Sequence, residues 1–295
     1  MAPKGFVIGG QSHAAPALAP GLYLVATPVG NLGDISIRAL QTLAGADLVL
    51  CEDTRASAVL LAHYGISTPR RAFHQHNEAA AAAAVLDAVA GGSPVALISD
   101  AGTPLLSDPG FPLVRAARER GVAVFAVPGA SALLAAIGSA GLPADRFSFL
   151  GFLPVRSAAR RKTLELLADR PETLVFYESP RRLGPALADM ASVFGGAREA
   201  AVARELTKKF ETVYRGTLGE LAARFASEAV RGEVVVLVGG APVEAADPRA
   251  WKAALSAALA SQPLKSAVDD IAAAFAVSRR EVYQAALAIR DAGDG

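Results

Sequence analysis

Three glycine- and proline-rich segments follow short apolar runs, and their composition suits them to hold a small ligand. Pro28-Val29-Gly30-Asn31-Leu32-Gly33-Asp34 comes after residues 22–27. Asp100-Ala101-Gly102-Thr103-Pro104-Leu105-Leu106-Ser107-Asp108-Pro109-Gly110 comes after residues 94–99, and Pro128-Gly129-Ala130-Ser131-Ala132 after residues 122–127. Glycine lets a backbone approach a ligand closely, and open α/β sheets bind ligands beyond the carboxyl ends of their strands. Tight turns use Gly and Pro in any case. The Asp100–Gly110 segment, however, is longer and richer in carboxylate and hydroxyl groups than a turn requires. None of the three reads G-x-G-x-x-G or G-x-x-x-x-G-K-[ST], which argues against a Rossmann nicotinamide enzyme, a Rossmann-type methyltransferase and a P-loop nucleotide hydrolase.

Charged clusters offer further chemistry. In Glu52-Asp53-Thr54-Arg55, Asp53 and Arg55 either face a ligand cleft or cap and flank the next helix. Arg204-Glu205-Leu206-Thr207-Lys208-Lys209-Phe210-Glu211 alternates in sign between two apolar runs. Arg156, Arg160, Arg161 and Lys162 form a basic group, joined by Arg181 and Arg182, that could meet phosphates or lie on a solvated helix face. His74 and His76 lack a third partner at a metal-ligand spacing, and no metal is expected.

The elements that position these residues alternate. Strands are expected at 22–27, 47–51, 94–99 and 122–127, and helices at 34–44, 77–90 and 109–120. This is the pattern of a parallel sheet covered on both faces. Gly141, Pro143, Gly151 and Pro154 mark a break, and a domain boundary is expected near residue 143. Beyond it, helices at 158–168 and 181–193 and strands at 173–177, 199–204, 212–215 and 233–238 suggest a second, mixed sheet. After residue 242 the chain reads as short helices. Leu264, Val268, Ile271 and Phe275 share one helical face there, and Ser278 with Glu281 forms a capping box, so a helix-turn-helix-like tail is expected. Residues 1–20 are read as a disordered tail, giving divisions 1–20, 21–143, 144–242 and 243–295.

Composition sets the limits. The net charge of +1 among 295 residues gives no bulk affinity for polyanions, so nucleic-acid binding must come from local clustering. A single cysteine, Cys51, excludes a disulfide framework and a cysteine-rich zinc site and fits a reducing compartment. The first twenty residues lack the apolar core of a signal peptide, and no apolar run is long enough to span a bilayer. A cytoplasmic protein with no membrane contact is expected.

Taken together and in order, the motifs resemble the ribosomal RNA small subunit methyltransferase I family. They are the Leu24-to-Asp34 and Cys51-to-Arg55 segments, Ser99-Asp100-Ala101-Gly102-Thr103-Pro104, Pro128-Gly129-Ala130-Ser131-Ala132, Gly151-Phe152-Leu153-Pro154, Phe176-Tyr177-Glu178-Ser179 and Ala203-Arg204-Glu205-Leu206-Thr207-Lys208. The resemblance runs from about Gly21 to Ile289. It implies a tetrapyrrole-methylase-like fold, with two α/β domains and S-adenosylmethionine in a cleft between them. It also implies methylation of the ribose 2′-oxygen of a cytidine in the decoding region of 16S rRNA, by a homodimer acting on rRNA or the small ribosomal subunit. Carried over residue by residue, Asp100, Ala101, Gly102 and Thr103 contact the cofactor, and Ser131 and Ala132 line its pocket. Phe176 and Tyr177 close that pocket from the second domain, although Tyr177 reads equally as a core aromatic. Asp53, Glu205 and Lys208 are candidates for removing or orienting the hydroxyl proton. Arg55, Arg156, Arg160, Arg161 and Lys162 are candidates for RNA contact. A tetrapyrrole methyltransferase explains the loops equally well but not the basic group or the appended helices. A nucleic-acid-binding regulator is disfavoured by the few basic residues in the tail.

Overall fold

The computed structural model describes residues 4–74, 78–228, 230–242, 248–275 and 277–293. The chain divides into two compact units, residues 1–241 and 242–295. The first unit opens with β1 (Gly5–Ile8) and β2 (Gln11–Ala14), an antiparallel hairpin. The expectation of a disordered tail at residues 1–20 is therefore corrected. Phe6 is buried against Leu43, Tyr64 and their neighbours, and Lys4 Nζ donates to the carbonyls of Gly45 and Ala46 and to Asp47 at 2.7–3.0 Å. That ammonium lies at the negative end of the helix preceding residue 46.

From residue 21 strands and helices alternate: β3 (Gly21–Val25), α1 (Ile37–Gly45), β4 (Leu48–Cys51), α2 (Thr54–His63), β5 (Arg70–Ala72), α3 (Glu78–Ala90), β6 (Pro94–Leu97), α4 (Phe111–Glu119), β7 (Val124–Val127) and α5 (Ala132–Ala140). The strands pair all-parallel in the order β5-β4-β6-β3-β7. Central β6 is buried along its whole length, as a strand covered on both faces must be. Two core clusters, one on each face, contain Leu40, Leu43 and Val49 and, opposite, Leu22, Leu86 and Leu113.

The chain passes to a second sheet between α5 and β8 (Phe147–Phe152), where the boundary near residue 143 is expected. There follow α6 (Ser157–Glu165), β9 (Thr173–Glu178), α7 (Leu183–Phe194), β10 (Glu199–Arg204), β11 (Thr212–Thr217), α8 (Leu218–Phe225) and β12 (Val234–Val238). The order is β11-β10-β12-β9-β8, with only β8 and β9 parallel, so the sheet is mixed as the hairpin-like spacing suggests. One face packs on α7 and α8 through Phe176, Leu187 and Leu221, and the other on α5 through Val175, Ala136 and Leu237.

The second unit holds α9 (Pro248–Leu259), α10 (Leu264–Phe275) and α11 (Arg279–Gly293) around Trp251, Leu255, Val268, Ile271 and Val282. Of the four residues expected on one face, Val268 and Ile271 are buried while Leu264 and Phe275 pack at the edge. Ser278 Oγ accepts from the Glu281 amide at 3.2 Å, one half of the expected capping box. No helix among the described residues is long and apolar enough to cross a membrane.

Replacing Phe6 by alanine is expected to lower the unfolding free energy by roughly 3 kcal/mol, as for other buried aromatic truncations. Denaturant titration checks this; an unchanged midpoint would return the segment to a loose tail.

Candidate active site in the first unit

The loop that ends β6 is fixed by its neighbours. Gly102 exchanges two backbone hydrogen bonds with Thr27, each 2.9 Å, so the loops after β3 and β6 are joined directly. Gly102 has φ +79°, a conformation open to glycine and strained for other residues. Asp100 Oδ1 accepts from the Asp53 amide at 3.0 Å, which ties in the loop after β4. Thr103 Oγ1 donates to Ala130 at 3.4 Å, which ties in the loop after β7. Three strand ends of the parallel sheet thus converge on residues 100–103.

Opposite lies an edge of the mixed sheet. Register places Arg204, Val234 and Glu178 side by side. Because β12 runs antiparallel to β9, its amino end stands beside the carboxyl ends of β9 and β10. Between the two edges is a cavity of about 400 Å3. Its walls include Val29, Asp100–Thr103, Leu106–Asp108 and Ala132 from the first sheet's loops, and Phe152, Tyr177–Pro180, Ala203, Leu206 and 232–235 from the second.

Most of the expected cofactor residues meet there: Asp100, Ala101, Gly102, Thr103, Ala132 and Tyr177 all line the cavity. Tyr177 lies edge-on to Phe149 and Phe152, with centroids 4.8 and 5.7 Å away. Burial pushes its hydroxyl above the ordinary value, against a backbone hydrogen bond with Leu133. Two residues are corrected. Phe176 is fully buried in the core on the α7 side, because successive residues of a strand point to opposite faces. Ser131 is the N-cap of α5, accepting from the Leu134 amide, and is not a wall residue.

The candidate catalytic residues stand at the rim, already paired. Asp53 caps α2 and binds its neighbour Arg55, whose hydrogen bonds hold the carboxyl below its usual range. The Arg55 side chain is 90% exposed, so it is reachable from solvent. Lys208 Nζ reaches Glu205 at 2.8 Å and Glu233 at 3.0 Å. Burial works against its charge, but the hydrogen bonds it donates to both carboxylates prevail and hold the ammonium above its ordinary value. The same bond from Lys208 lowers Glu205. Both groups are therefore charged at neutral pH, which suits orientation better than proton uptake.

The basic group after the break separates by helical period. Arg161, Lys162 and Arg156 are exposed, but Arg160 is buried. Its guanidinium meets Asp189 at 2.6–2.7 Å and donates to the carbonyls of Pro154 and Val155. Arg160 and Leu164, one turn apart, share the face of α6 turned to the core. Arg160 is thus a structural link between α6 and α7 and is corrected as an RNA contact. Of the two histidines set aside as metal ligands, His76 lies outside the described residues.

Sequence reasoning missed Leu106, Ser107, Asp108, Phe152, Glu178 and residues 232–235 as wall residues. Asp108, Phe152 and Glu178 lie in motifs already noticed. Residues 232–235 were passed over because only the carboxyl ends of strands were searched, whereas an antiparallel strand brings its amino end to the same edge. Leu105 and Ser107 share with Glu205 and Thr207 a left-handed backbone, and these are the four non-glycine residues in that state among those described. Such strain gathers where a site over-determines its loops.

Comparison with known proteins decides the family. The profile of the Tetrapyrrole (Corrin/Porphyrin) Methylases matches residues 21–222. The Ribosomal RNA small subunit methyltransferase I of Mesorhizobium japonicum is 47% identical over 98% of this chain and 100% of its own. The protein of the same name from Pseudomonas aeruginosa is 49% identical over 90% of this chain and 96% of its own. The chain belongs to the ribosomal RNA small subunit methyltransferase I family of tetrapyrrole methylases. Among solved structures, a Thermus thermophilus uroporphyrin-III C-methyltransferase complexed with S-adenyl homocysteine is similar, with TM-score 0.53 and 21% identity, covering 74% of this chain and 97% of that one. At that identity the likeness establishes the shared fold. The family membership, the α/β fold and the appended helices accord with the reading of the motifs.

Asp108 gives a pH test. Burial, then repulsion from Glu52 and Asp100, raises its carboxyl to about 6, against a hydrogen bond with Ser99. The folded midpoint lies above the unfolded 3.8, so the folded chain holds more protons between the two values. Asp108 therefore stabilises the fold least above pH 6, and its contribution falls as pH rises through that window. Asp108→Asn is expected to raise the denaturation midpoint at pH 8 relative to wild type and to leave it nearly unchanged at pH 4. Equal shifts at both pH values would contradict the assigned cause.

Proposed function

We propose that the chain is an S-adenosylmethionine-dependent methyltransferase acting on the ribose 2′-oxygen of a cytidine in the decoding region of 16S rRNA, as a cytoplasmic homodimer. The observation that carries this reading is near-full-length identity to relatives named for small-subunit rRNA methylation. The cavity fits the cofactor in size and character. Its volume lies in the range of small-molecule sites. Its charged wall residues are carboxylates, with no Lys, Arg or His among the described lining; Glu178 and Glu233 are paired with Arg182 and Lys208, which leaves Asp100 and Asp108 to suit a cationic ligand. Val29, Leu106, Phe152 and Val235 suit its apolar parts.

When bound, S-adenosylmethionine supplies a methyl group on a sulfonium. Asp100, Ala101, Gly102 and Thr103 would hold it through backbone and side chain, with Ala132 and Tyr177 across the cavity. Asp100 and Asp108 supply the negative charge that favours a cation. Asp53, Glu205 and Lys208 at the rim orient the incoming ribose, since placement of the hydroxyl near the methyl carbon accounts for much of the rate in a displacement. Arg55, Arg156, Arg161 and Lys162, all exposed, remain as candidate phosphate contacts.

Purified chain, 16S rRNA or small subunits, and S-adenosylmethionine are incubated together and the rRNA nucleosides analysed by mass spectrometry. The expected product is 2′-O-methylcytidine at one position. Methylation of a base would overturn the ribose assignment, and unmodified rRNA beside methylation of a porphyrinoid in a parallel reaction would overturn the reading in favour of the tetrapyrrole substrate. Sedimentation velocity checks the dimer.

A further inference from the structure

We infer that Phe210 is a stacking platform for a base of single-stranded RNA beside the cavity, with Lys209, Arg204 and Arg231 meeting the adjoining phosphates. The inference rests on the rRNA reading above and adds where the strand runs.

The ring is displayed, not merely left loose. Phe210 is 63% exposed. The loop between β10 and β11 that carries it is pinned by Lys208 N to Glu205 O at 3.0 Å and Glu211 N to Lys208 O at 3.1 Å. Thr212 Oγ1 also donates to the Phe210 carbonyl at 3.2 Å. The left-handed backbone of Glu205 and Thr207 further restricts the loop. A rigid loop that holds a large apolar ring in water gains nothing for the fold from that ring.

The loop also borders the site. Leu206 is a wall of the cavity, as are Gly232 and Glu233 on the facing segment. Cations stand in the same loop and the facing segment, while the neighbouring Glu211 carboxylate is taken up by the Thr207 amide. Lys209 Nζ lies 5.6 Å from the ring centroid and is exposed. Arg204 Nε donates to the Arg231 carbonyl at 2.8 Å, which brings the two arginines together at the base of the loop. Lys208 is engaged by Glu205 and Glu233, whereas Lys209, Arg204 and Arg231 form no ion pair among the described residues.

An aromatic face amid unpaired cations is what unstacked RNA requires, since bases stack on aromatic rings while Arg and Lys follow the backbone. A second copy of this chain covering the ring is the competing occupant, and the sedimentation readout below separates it. Duplex nucleic acid would engage the cations but present no free base face to the ring.

The test uses the full chain and a synthetic single-stranded RNA spanning the target cytidine. Fluorescence anisotropy is measured for wild type, Phe210→Ala and Phe210→Tyr, with S-adenosylmethionine affinity followed by calorimetry. Phe210→Ala is expected to weaken RNA binding about tenfold, within the range for loss of one base stack. Phe210→Tyr should restore binding, and cofactor affinity should be unchanged in all three. Phe210→Trp adds a direct signal: the one native tryptophan, Trp251, is buried, so quenching of the new emission on RNA addition reports stacking. Wild-type RNA affinity in Phe210→Ala, or a loss that follows a change in sedimentation coefficient, overturns the platform and makes the ring a contact between copies. If wild type does not bind the oligonucleotide, the same titration is run with small ribosomal subunits; failure to bind either overturns the rRNA reading itself, and the platform falls with it.

Discussion

The site depends on one ammonium. Lys208 sits between Glu205 and Glu233, and its aliphatic stem lies on Gly30. A Cβ at residue 30 would run into the Lys208 stem at Cγ, so only glycine allows the loop after β3 to lie this close to the loop after β10. A partly buried charge without partners would be costly. Two carboxylates remove that cost and fix the position of the stem. The contact joins a loop of the parallel sheet to a loop of the mixed sheet, beside the wall residues Val29, Leu206 and Glu233 of the cavity. The left-handed backbone at Glu205 and Thr207 is the local strain that this arrangement sustains.

The electrostatics of the two surfaces differ in sign. The cavity wall presents carboxylates, and the rim carries Lys209, Arg204, Arg231 and Arg55 interleaved with Asp53 and Glu205. A net charge of +1 conceals this division entirely.

How much was legible from sequence follows from geometry. Four strands of the parallel sheet were readable because each is a continuous apolar run, and the Gly/Pro-rich loops after β3, β6 and β7 carry most of the expected cofactor residues; β5 was overlooked because it is short and carries Arg70 and Arg71. The N-terminal hairpin was overlooked although Gly9-Gly10 between two short runs is itself a two-residue turn signal. β8 was read as a break because Gly141, Pro143, Gly151 and Pro154 cluster around it; in the structure Gly151 falls at a register irregularity between Phe149 and Phe152. Arg160 and Phe176 were misplaced for a common reason. Residue type was weighed without the period of the element, which turns Arg160 inward on α6 and Phe176 away from the cavity on β9. The amino end of β12 could be assigned to the site only once its antiparallel partner was known.

The central claim is that one cofactor cavity is built jointly by both sheets. Amide hydrogen exchange with and without S-adenosylmethionine tests it most directly. Exchange should slow together in residues 100–108 of the parallel sheet's loop and in residues 177–180 and 232–235 of the mixed sheet. Protection confined to one sheet, or no protection at saturating cofactor, would contradict the account.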